Sequence, residues 1–249
     1  MKIHVAQTAE GLGREAAGRA EEILNACIGK QGYARIVLST GASQFTFLQA
    51  LQEKAIDWSK VEMFHLDEYV GLSESHPASF RKYLKERFLS FAPVSQAHFV
   101  NGEGDVQANL KRLGEELTRL PIDLALIGIG ENAHIAFNDP PADFQTTVPY
   151  KIVDLDQDCK AQQVREGWFP SVDEVPKQAI TMTVQQMMKS RVILSCVPNQ
   201  VKAKAVYETL KGDRVSEHVP ATILKTHPDW TLYLDRQSAS LLEDSVASK

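Results

Sequence analysis

The sequence predicts a single α/β domain over residues 1–249, built on a mainly parallel open sheet with helices on both faces. First, apolar runs of strand length alternate with segments of helical spacing, as in parallel sheets with crossover helices. Second, several runs carry apolar residues on both faces, which is typical of strands buried on both sides. Third, no repeat, low-complexity tract or Gly/Ser linker marks an internal domain boundary.

The strands are predicted where short aliphatic and β-branched runs stand between turn residues. These runs cover residues 3–5, 34–38, 61–66, 124–129, 192–197 and 231–234. Helices are predicted where apolar residues recur at spacings of three and four positions. These segments cover residues 9–29, 43–53, 78–90, 105–120, 199–211 and 237–247.

The composition is that of an ordinary globular chain and excludes several classes of protein. With 43% hydrophobic and 24% charged residues, the 249-residue chain is neither disordered nor collagen-like. A net charge of −5 without a basic stripe argues against nucleic acid as a partner. No apolar run has the length of a signal peptide core or a membrane span, so we expect a cytoplasmic protein that does not contact membranes.

The three cysteines, Cys27, Cys159 and Cys196, lie far apart in the sequence. Their number is odd, and they form no C-x-x-C pair and have no flanking histidine at zinc spacing. The sequence therefore predicts three reduced thiols, no disulfide framework and no metal site.

Ligands of a parallel α/β sheet bind outside the carboxyl ends of its strands, so the segments that follow strands are candidates for function. The second predicted strand is followed by Ser39-Thr40-Gly41-Ala42-Ser43. Small residues and hydroxyls ahead of a helix suit an anion bound by backbone N–H groups. The alternative is ordinary helix capping by serine or threonine. Because the segment lacks the Gly-Lys-Ser/Thr ending of a nucleotide loop, a sugar phosphate fits it better.

Two carboxylates, Asp67 and Glu68, follow the third predicted strand. This position places them at the edge of the sheet rather than in the core, where one of them could act as a general base in a cleft. A solvated acidic turn is the alternative. His65, just before them, is expected to pack in or beside the sheet.

Residues 128–133 match the spacing G-x-G-x-x-A, but they do not predict a dinucleotide site. That motif opens a long helix, whereas Pro140 and Pro141 follow here within a few residues.

The same loop gathers Asn132, His134, Asn138 and Asp139 after a buried strand. A histidine with amide and carboxylate neighbours is suited to proton transfer to and from a sugar oxygen. A satisfied core histidine is the alternative.

Two cations are candidates for holding a phosphate. Lys202 lies near the start of the helix that follows residues 192–197, on the same edge of the sheet. A surface lysine is the alternative there. Arg165 lies in a polar stretch whose local pattern indicates little.

Two long motifs, in residues 66–80 and 128–140, carry a family resemblance. The first is Leu66-Asp67-Glu68-Tyr69-Val70-Gly71-Leu72 with His76-Pro77 and Ser79-Phe80 after it, and the second ends in His-Ile-Ala-Phe-Asn-Asp-Pro. Together with weaker matches at residues 39–43, 175–181 and 227–228, they resemble the glucosamine-6-phosphate deaminase family. That family belongs to the sugar-phosphate isomerase-like proteins, which also include the 6-phosphogluconolactonases. The resemblance covers residues 34–235 and implies their Rossmann-like fold.

The resemblance implies conversion of an amino-sugar 6-phosphate into the ketose phosphate and ammonia, without a metal or an organic cofactor. By motif position, Asp67 resembles the base that moves a proton between C2 and C1. His134 resembles the residue that opens the pyranose ring, supported by Asn132 and Asp139. Residues 39–43 resemble the phosphate loop.

The cationic clamp of the family is matched by Lys202 and, after a one-residue gap, by Arg165. Two departures stand beside the histidine. Asn132 replaces the usual aspartate, and Asp139 replaces a usual glutamate. We therefore expect an active enzyme with a retuned ring-opening step.

Several alternatives stay open at this stage. A galactosamine-6-phosphate deaminase, a 6-phosphogluconolactonase and a sugar-phosphate-binding protein with weakened catalysis share much of the pattern. Against the lactonase stand residues 67–72 and 137–140, which belong to the deaminase pattern. Both a monomer and a homo-oligomer are compatible with the sequence.

Overall fold

The computed structural model describes residues 1–242, and the elements below are those of this part of the chain. The strands are β1 (Lys2–Ala6), β2 (Ala34–Leu38), β3 (Val61–His65), β4 (Asp67–Tyr69), β5 (Gln96–His98), β6 (Leu124–Leu126), β7 (Tyr150–Asp154), β8 (Gln178–Met182), β9 (Val192–Val197) and β10 (Trp230–Asp235). The helices are α1 (Ala9–Gln31), α2 (Phe45–Gln52), α3 (Phe80–Arg87), α4 (Val106–Thr118), α5 (Gln157–Arg165), α6 (Val184–Met188) and α7 (Ala203–Leu210).

Seven strands form one sheet in the order β1-β10-β9-β6-β2-β3-β5, and all of its neighbouring pairs are parallel. The predicted α/β fold class is thus confirmed, and each of the six predicted strands lies in this sheet. The seventh, β5, has the sequence Gln-Ala-His and carries no apolar run that would have revealed it.

Helices cover both faces of the sheet, which explains why its strands carry apolar residues on both faces. In β2, Ile36 and Leu38 pack with α1 and α2, whereas Val37 points to the opposite face and packs in the core that includes α4 and α7. Successive side chains of a strand point to opposite faces, so a strand covered on both sides carries apolar residues that point both ways.

A second, antiparallel sheet of three strands, in the order β4-β8-β7, was not predicted. The first of its strands begins one residue after Leu66, where Asp67 pairs with Thr181 of β8. The alternative of a solvated acidic turn at this point is wrong, because the side chains of Asp67 and Glu68 are 7% and 0% exposed. The expectation that both lie outside the core is likewise wrong for Glu68.

The predicted helices agree with the structure in position but differ at their ends. Segments 43–53 and 199–211 begin as short 3₁₀ turns before α2 and α7. Of the predicted helix 237–247, residues 240–242 are helical and residues 243–247 lie outside the described part. Helices α5 and α6 were not predicted. None of the helices in residues 1–242 combines the length and apolar character that crossing a membrane requires.

Candidate active site

A cleft opens where β9, β6, β2 and β3 end side by side. The loops that follow these neighbouring strands line it. This is the edge at which the sequence placed the chemistry. The predicted site residues that line the cleft are Ser39, Thr40, Gly41, Ala42, Ser43, Asp67, His134 and Lys202.

The loop after β2 has the features of an anion cradle. Gly41 has a φ of 99°, which a residue with a Cβ rarely adopts. Neither the 3₁₀ turn at Ala42–Gln44 nor α2 is capped by a side chain, so the alternative of ordinary capping is wrong. The Ser39 hydroxyl is buried and has no hydrogen-bond partner within residues 1–242. A buried hydroxyl of this kind is costly unless a ligand satisfies it.

Lys202 supplies a positive charge to the same cleft. Its side chain is 6% exposed, so the alternative of a surface lysine is wrong. Burial lowers its pKa, and the nearby carboxylates Glu166 and Glu131 oppose this effect. Within the described residues, the ammonium forms no ion pair shorter than 4.0 Å.

Asp67 is the carboxylate of the cleft that has no hydrogen-bond partner among the described residues. It is the first residue of β4, where the chain passes from the main sheet to the small one. Its carboxylate accepts no hydrogen bond from residues 1–242, although it is almost completely buried. Burial, and secondly the negative charge of Glu68, raise the pKa of Asp67 well above its ordinary value. Such a group is suited to exchange a proton with a bound substrate.

Glu68, the next residue, has a structural role instead. Its carboxylate accepts five hydrogen bonds: from the backbone N–H groups of Tyr69, Phe80 and Arg81, the Ser79 hydroxyl and the Arg81 guanidinium. Three of these donors belong to the first turn of α3: the backbone N–H groups of Phe80 and Arg81 and the Arg81 guanidinium. Glu68 therefore fixes the start of α3 and is not free to act as a base.

His134 lines the cleft with support from behind. Its Nδ1 lies 2.7 Å from Asn132 Oδ1 and 3.2 Å from Asp139 Oδ1, while Asn132 Nδ2 donates to Asp139 Oδ1 at 3.4 Å. An amide oxygen only accepts, so Nδ1 carries the ring proton and Nε2 keeps a lone pair. The ring packs on Gly130, where a Cβ would lie 2.2 Å from His134 Cε1.

Asp139 keeps its negative charge beside this imidazole. Burial acts to raise its pKa, but hydrogen bonding and the charge of His134, followed by the bond from Asn132, outweigh burial and lower it. Asn132 and Asp139 thus stand behind His134 rather than in the lining of the cleft. Asn138, in contrast, donates to the Ile135 carbonyl, the Thr181 hydroxyl and the Met182 carbonyl, so it ties the loop to β8.

The family of the chain follows from comparison with known proteins. A family model described as glucosamine-6-phosphate isomerases/6-phosphogluconolactonase matches residues 7–233. The chain belongs to this family. Among its members, the glucosamine-6-phosphate deaminase of Oenococcus oeni is 36% identical over 214 residues, covering 86% of this chain and 89% of that protein. The one of Lactobacillus delbrueckii subsp. bulgaricus is 33% identical over 98% of this chain and all of that protein.

Solved structures of family members show the same fold. A monomeric glucosamine-6-phosphate deaminase has a TM-score of 0.88 and 31% identity, with 97% of this chain and 100% of that chain covered. A 6-phosphogluconolactonase from Shewanella baltica has a TM-score of 0.78 at 19% identity, covering 94% and 97% of the two chains. At that identity the lactonase shares the fold alone.

Helix α5 and the residues after it contribute side chains to the cleft that no sequence motif indicated. Gln162, Gln163, Glu166 and Trp168 line the cleft. Glu166 accepts hydrogen bonds from Gln162 Nε2 at 2.7 Å and from Trp168 Nε1 at 3.1 Å. The sequence around them is polar, as in any solvent-exposed helix, so only the packing of the folded chain shows that they line the cleft.

Arg165 does not enter the cleft with them. Its side chain is 56% exposed, and Nη2 lies 2.6 Å from Glu131 Oε2. It lines a neighbouring hollow together with Asn132. In this conformation its charge is paired outside the cleft, and a role as part of the cationic clamp stays a prediction.

Proposed function

We propose that this protein is a glucosamine-6-phosphate deaminase, which converts the amino-sugar 6-phosphate and water into the ketose 6-phosphate and ammonia. The observation that carries the proposal is the single cleft in which an unpartnered buried carboxylate, Asp67, and a supported imidazole, His134, accompany an anion cradle. The relatives that share the fold over almost the whole chain support the same reaction.

The phosphate is held at one end by residues 39–43 and Lys202. Backbone N–H groups ahead of α2, the Ser39 hydroxyl and the Lys202 ammonium offer donors and positive charge to its oxygens. Because the phosphate does not react, its binding energy positions the sugar carbons against Asp67.

His134 opens the sugar ring. Its Nε2 lone pair accepts the proton of the anomeric hydroxyl, and the resulting imidazolium returns a proton to the ring oxygen as the C1–O bond breaks. The hydrogen bond to Asn132 keeps the required tautomer, while ionised Asp139 stabilises the imidazolium. Asn132 supplies no charge, so Asp139 alone carries this electrostatic support.

Asp67 then moves a proton between adjacent carbons. It removes the C2 proton of the open-chain aldehyde, the C1 oxygen gains a proton, and an enolamine forms. Return of the proton from Asp67 to C1 gives an iminium at C2. Water adds to C2 and ammonia leaves, which completes the ketose. A base of raised pKa holds the transferred proton between the two steps.

The test is release of ammonia, measured with a coupled assay over a small panel of hexosamine 6-phosphates that includes the galactosamine epimer. We expect turnover of glucosamine 6-phosphate. Acid release from 6-phosphogluconolactone without ammonia from any hexosamine phosphate would assign the lactonase reaction instead. Tight binding of the hexosamine phosphates without turnover would identify a sugar-phosphate-binding protein.

A further inference from the structure

The proposed catalytic histidine and two other side chains that can bind a metal ion lie close together. A ring nitrogen of His134, a carboxylate oxygen of Asp139 and Cys159 Sγ all lie within 4.8 Å of one another, and His134 Nδ1 is 3.2 Å from Asp139 Oδ1. They come from separate parts of the chain, since Cys159 belongs to α5 and the other two to the loop after β6. The sequence therefore contains no residue spacing that would indicate a metal site.

The cluster is buried and incompletely satisfied. Cys159 is 1% exposed, and the Asp139 side chain is 10% exposed. Asp139 Oδ2 has no hydrogen-bond partner within residues 1–242, although Oδ1 is bound by its neighbours. A second carboxylate, Asp156, caps α5 by accepting from the Cys159 N–H at 2.6 Å. Two carboxylates and an imidazole thus stand beside one thiol.

Thiolate, imidazole and carboxylate together are the donor set that Zn²⁺ prefers, whereas Mg²⁺ and Ca²⁺ prefer oxygen ligands. In a tetrahedral site with ordinary Zn–S and Zn–N bonds, the sulfur and nitrogen lie about 3.6 Å apart. The three donors here are spread over no more than 4.8 Å, so small side-chain movements close the site.

We propose that His134, Asp139 and Cys159 form an inhibitory Zn²⁺ site, whose effect on turnover rests on the proposed function of His134. Water takes the fourth position, as in other three-ligand zinc sites.

Metal binding would prevent the imidazole from acting as a base, because it would change the tautomer of the ring. The Cys159 thiol releases its proton to solvent as the Zn–S bond forms, and Asp139 binds as the carboxylate. Zinc on Nδ1 requires that nitrogen to be unprotonated, so the ring proton moves to Nε2. The hydrogen bond from Nδ1 to Asn132 is lost, and Nε2 has no lone pair for the anomeric proton. Because residues 39–43 and Lys202 are untouched, Zn²⁺ lowers kcat and leaves KM nearly unchanged.

Cobalt is the probe for binding, because a Co²⁺–thiolate bond absorbs in the near ultraviolet and the measurement does not depend on turnover. We expect one Co²⁺ per chain with this band, and displacement of the band by Zn²⁺ but not by Mg²⁺. The substitution Cys159→Ser should remove the band and weaken Zn²⁺ binding at least about 100-fold. Cys196→Ser and Cys27→Ser are matched controls at the other thiols and should retain both.

The ratio of activity with and without Zn²⁺, taken within each variant, provides a second readout. It should be low in the parent and in both control variants and close to one in Cys159→Ser. Absence of the band in the parent, or its persistence in Cys159→Ser, would overturn the metal site. A Cys159-dependent band in a protein that releases no ammonia from any hexosamine phosphate would keep the site and reject the proposed function.

Discussion

The two adjacent carboxylates of β4 offer the sharpest test of the site, because the structure gives them opposite tasks. Asp67 faces the cleft and accepts no hydrogen bond from the described residues, whereas Glu68 is fully buried and accepts five. The isosteric substitutions Asp67→Asn and Glu68→Gln remove one negative charge each at neighbouring positions. Each variant serves as the matched control of the other.

For Asp67→Asn we expect a large loss of turnover without a loss of stability. Loss of the base should lower kcat about 10²- to 10⁴-fold, or about 3 to 5 kcal/mol in the activation barrier. Folding raises the pKa of Asp67, so the native state binds more protons than the unfolded chain between the two pKa values. The Asp67 carboxyl therefore costs stability as pH rises from about 4 through the folded pKa. The asparagine removes this cost, so the variant should be at least as stable as the parent at neutral pH, with the difference vanishing in acid.

For Glu68→Gln we expect the reverse. The amide cannot accept all five hydrogen bonds, and the buried Arg81 loses one carboxylate partner at 3.2 Å while it keeps Glu103 at 2.8 Å. Breaking a buried ion pair from one side costs about 3 to 5 kcal/mol in the free energy of unfolding, and the retained pair with Glu103 places the expected loss at the lower end of this range. The folded fraction should keep most of its kcat, because Glu68 does not line the cleft.

Two measurements decide between these expectations: initial rates of ammonia release, and urea unfolding at several pH values followed by circular dichroism. The reasoning fails if Asp67→Asn keeps kcat within tenfold of the parent, or if Asp67→Asn is the less stable of the two variants at neutral pH.

Three further substitutions test the rest of the cleft. Lys202→Met should raise KM about 10- to 100-fold with little change in kcat and weaken competitive inhibition by inorganic phosphate, since a charge-assisted hydrogen bond is lost; an unchanged KM would contradict the phosphate site. Asn132→Asp places a second carboxylate where Oδ1 lies 2.7 Å from His134 Nδ1, so the pH profile of kcat should move upward by about one unit or more; an identical profile would refute the electrostatic role. Gly130→Ala puts a Cβ 2.2 Å from His134 Cε1 and should lower kcat about 100-fold by displacing the ring. Gly18→Ala, in α1, is its control, because its Cβ meets no atom of the described residues within 4 Å, and it should remain active with an unchanged circular dichroism spectrum.

The main sheet could be predicted because its strands are buried on both faces. Burial places apolar residues on both faces of β2 and β9, with Arg35 and Ser195 as the polar exceptions, and such runs are visible without any tertiary information. The small sheet has no comparable signal. Its strand β7 is only partly buried and carries a lysine and an aspartate, and β4 consists of Asp-Glu-Tyr. Pairing with β8, distant in sequence, makes strands of both.

The sequence by itself determined six strands of the main sheet, most of the helical segments and the loops that carry the chemistry, because periodicity and the position after a strand are local properties. Only the tertiary structure decided which of two adjacent carboxylates stays free, on which side of the cleft wall Arg165 and Glu166 lie, and that Cys159 reaches Asp139. These outcomes depend on register and on packing between distant segments. A shift of one position turns a side chain from the cleft to the core, and no local pattern records it.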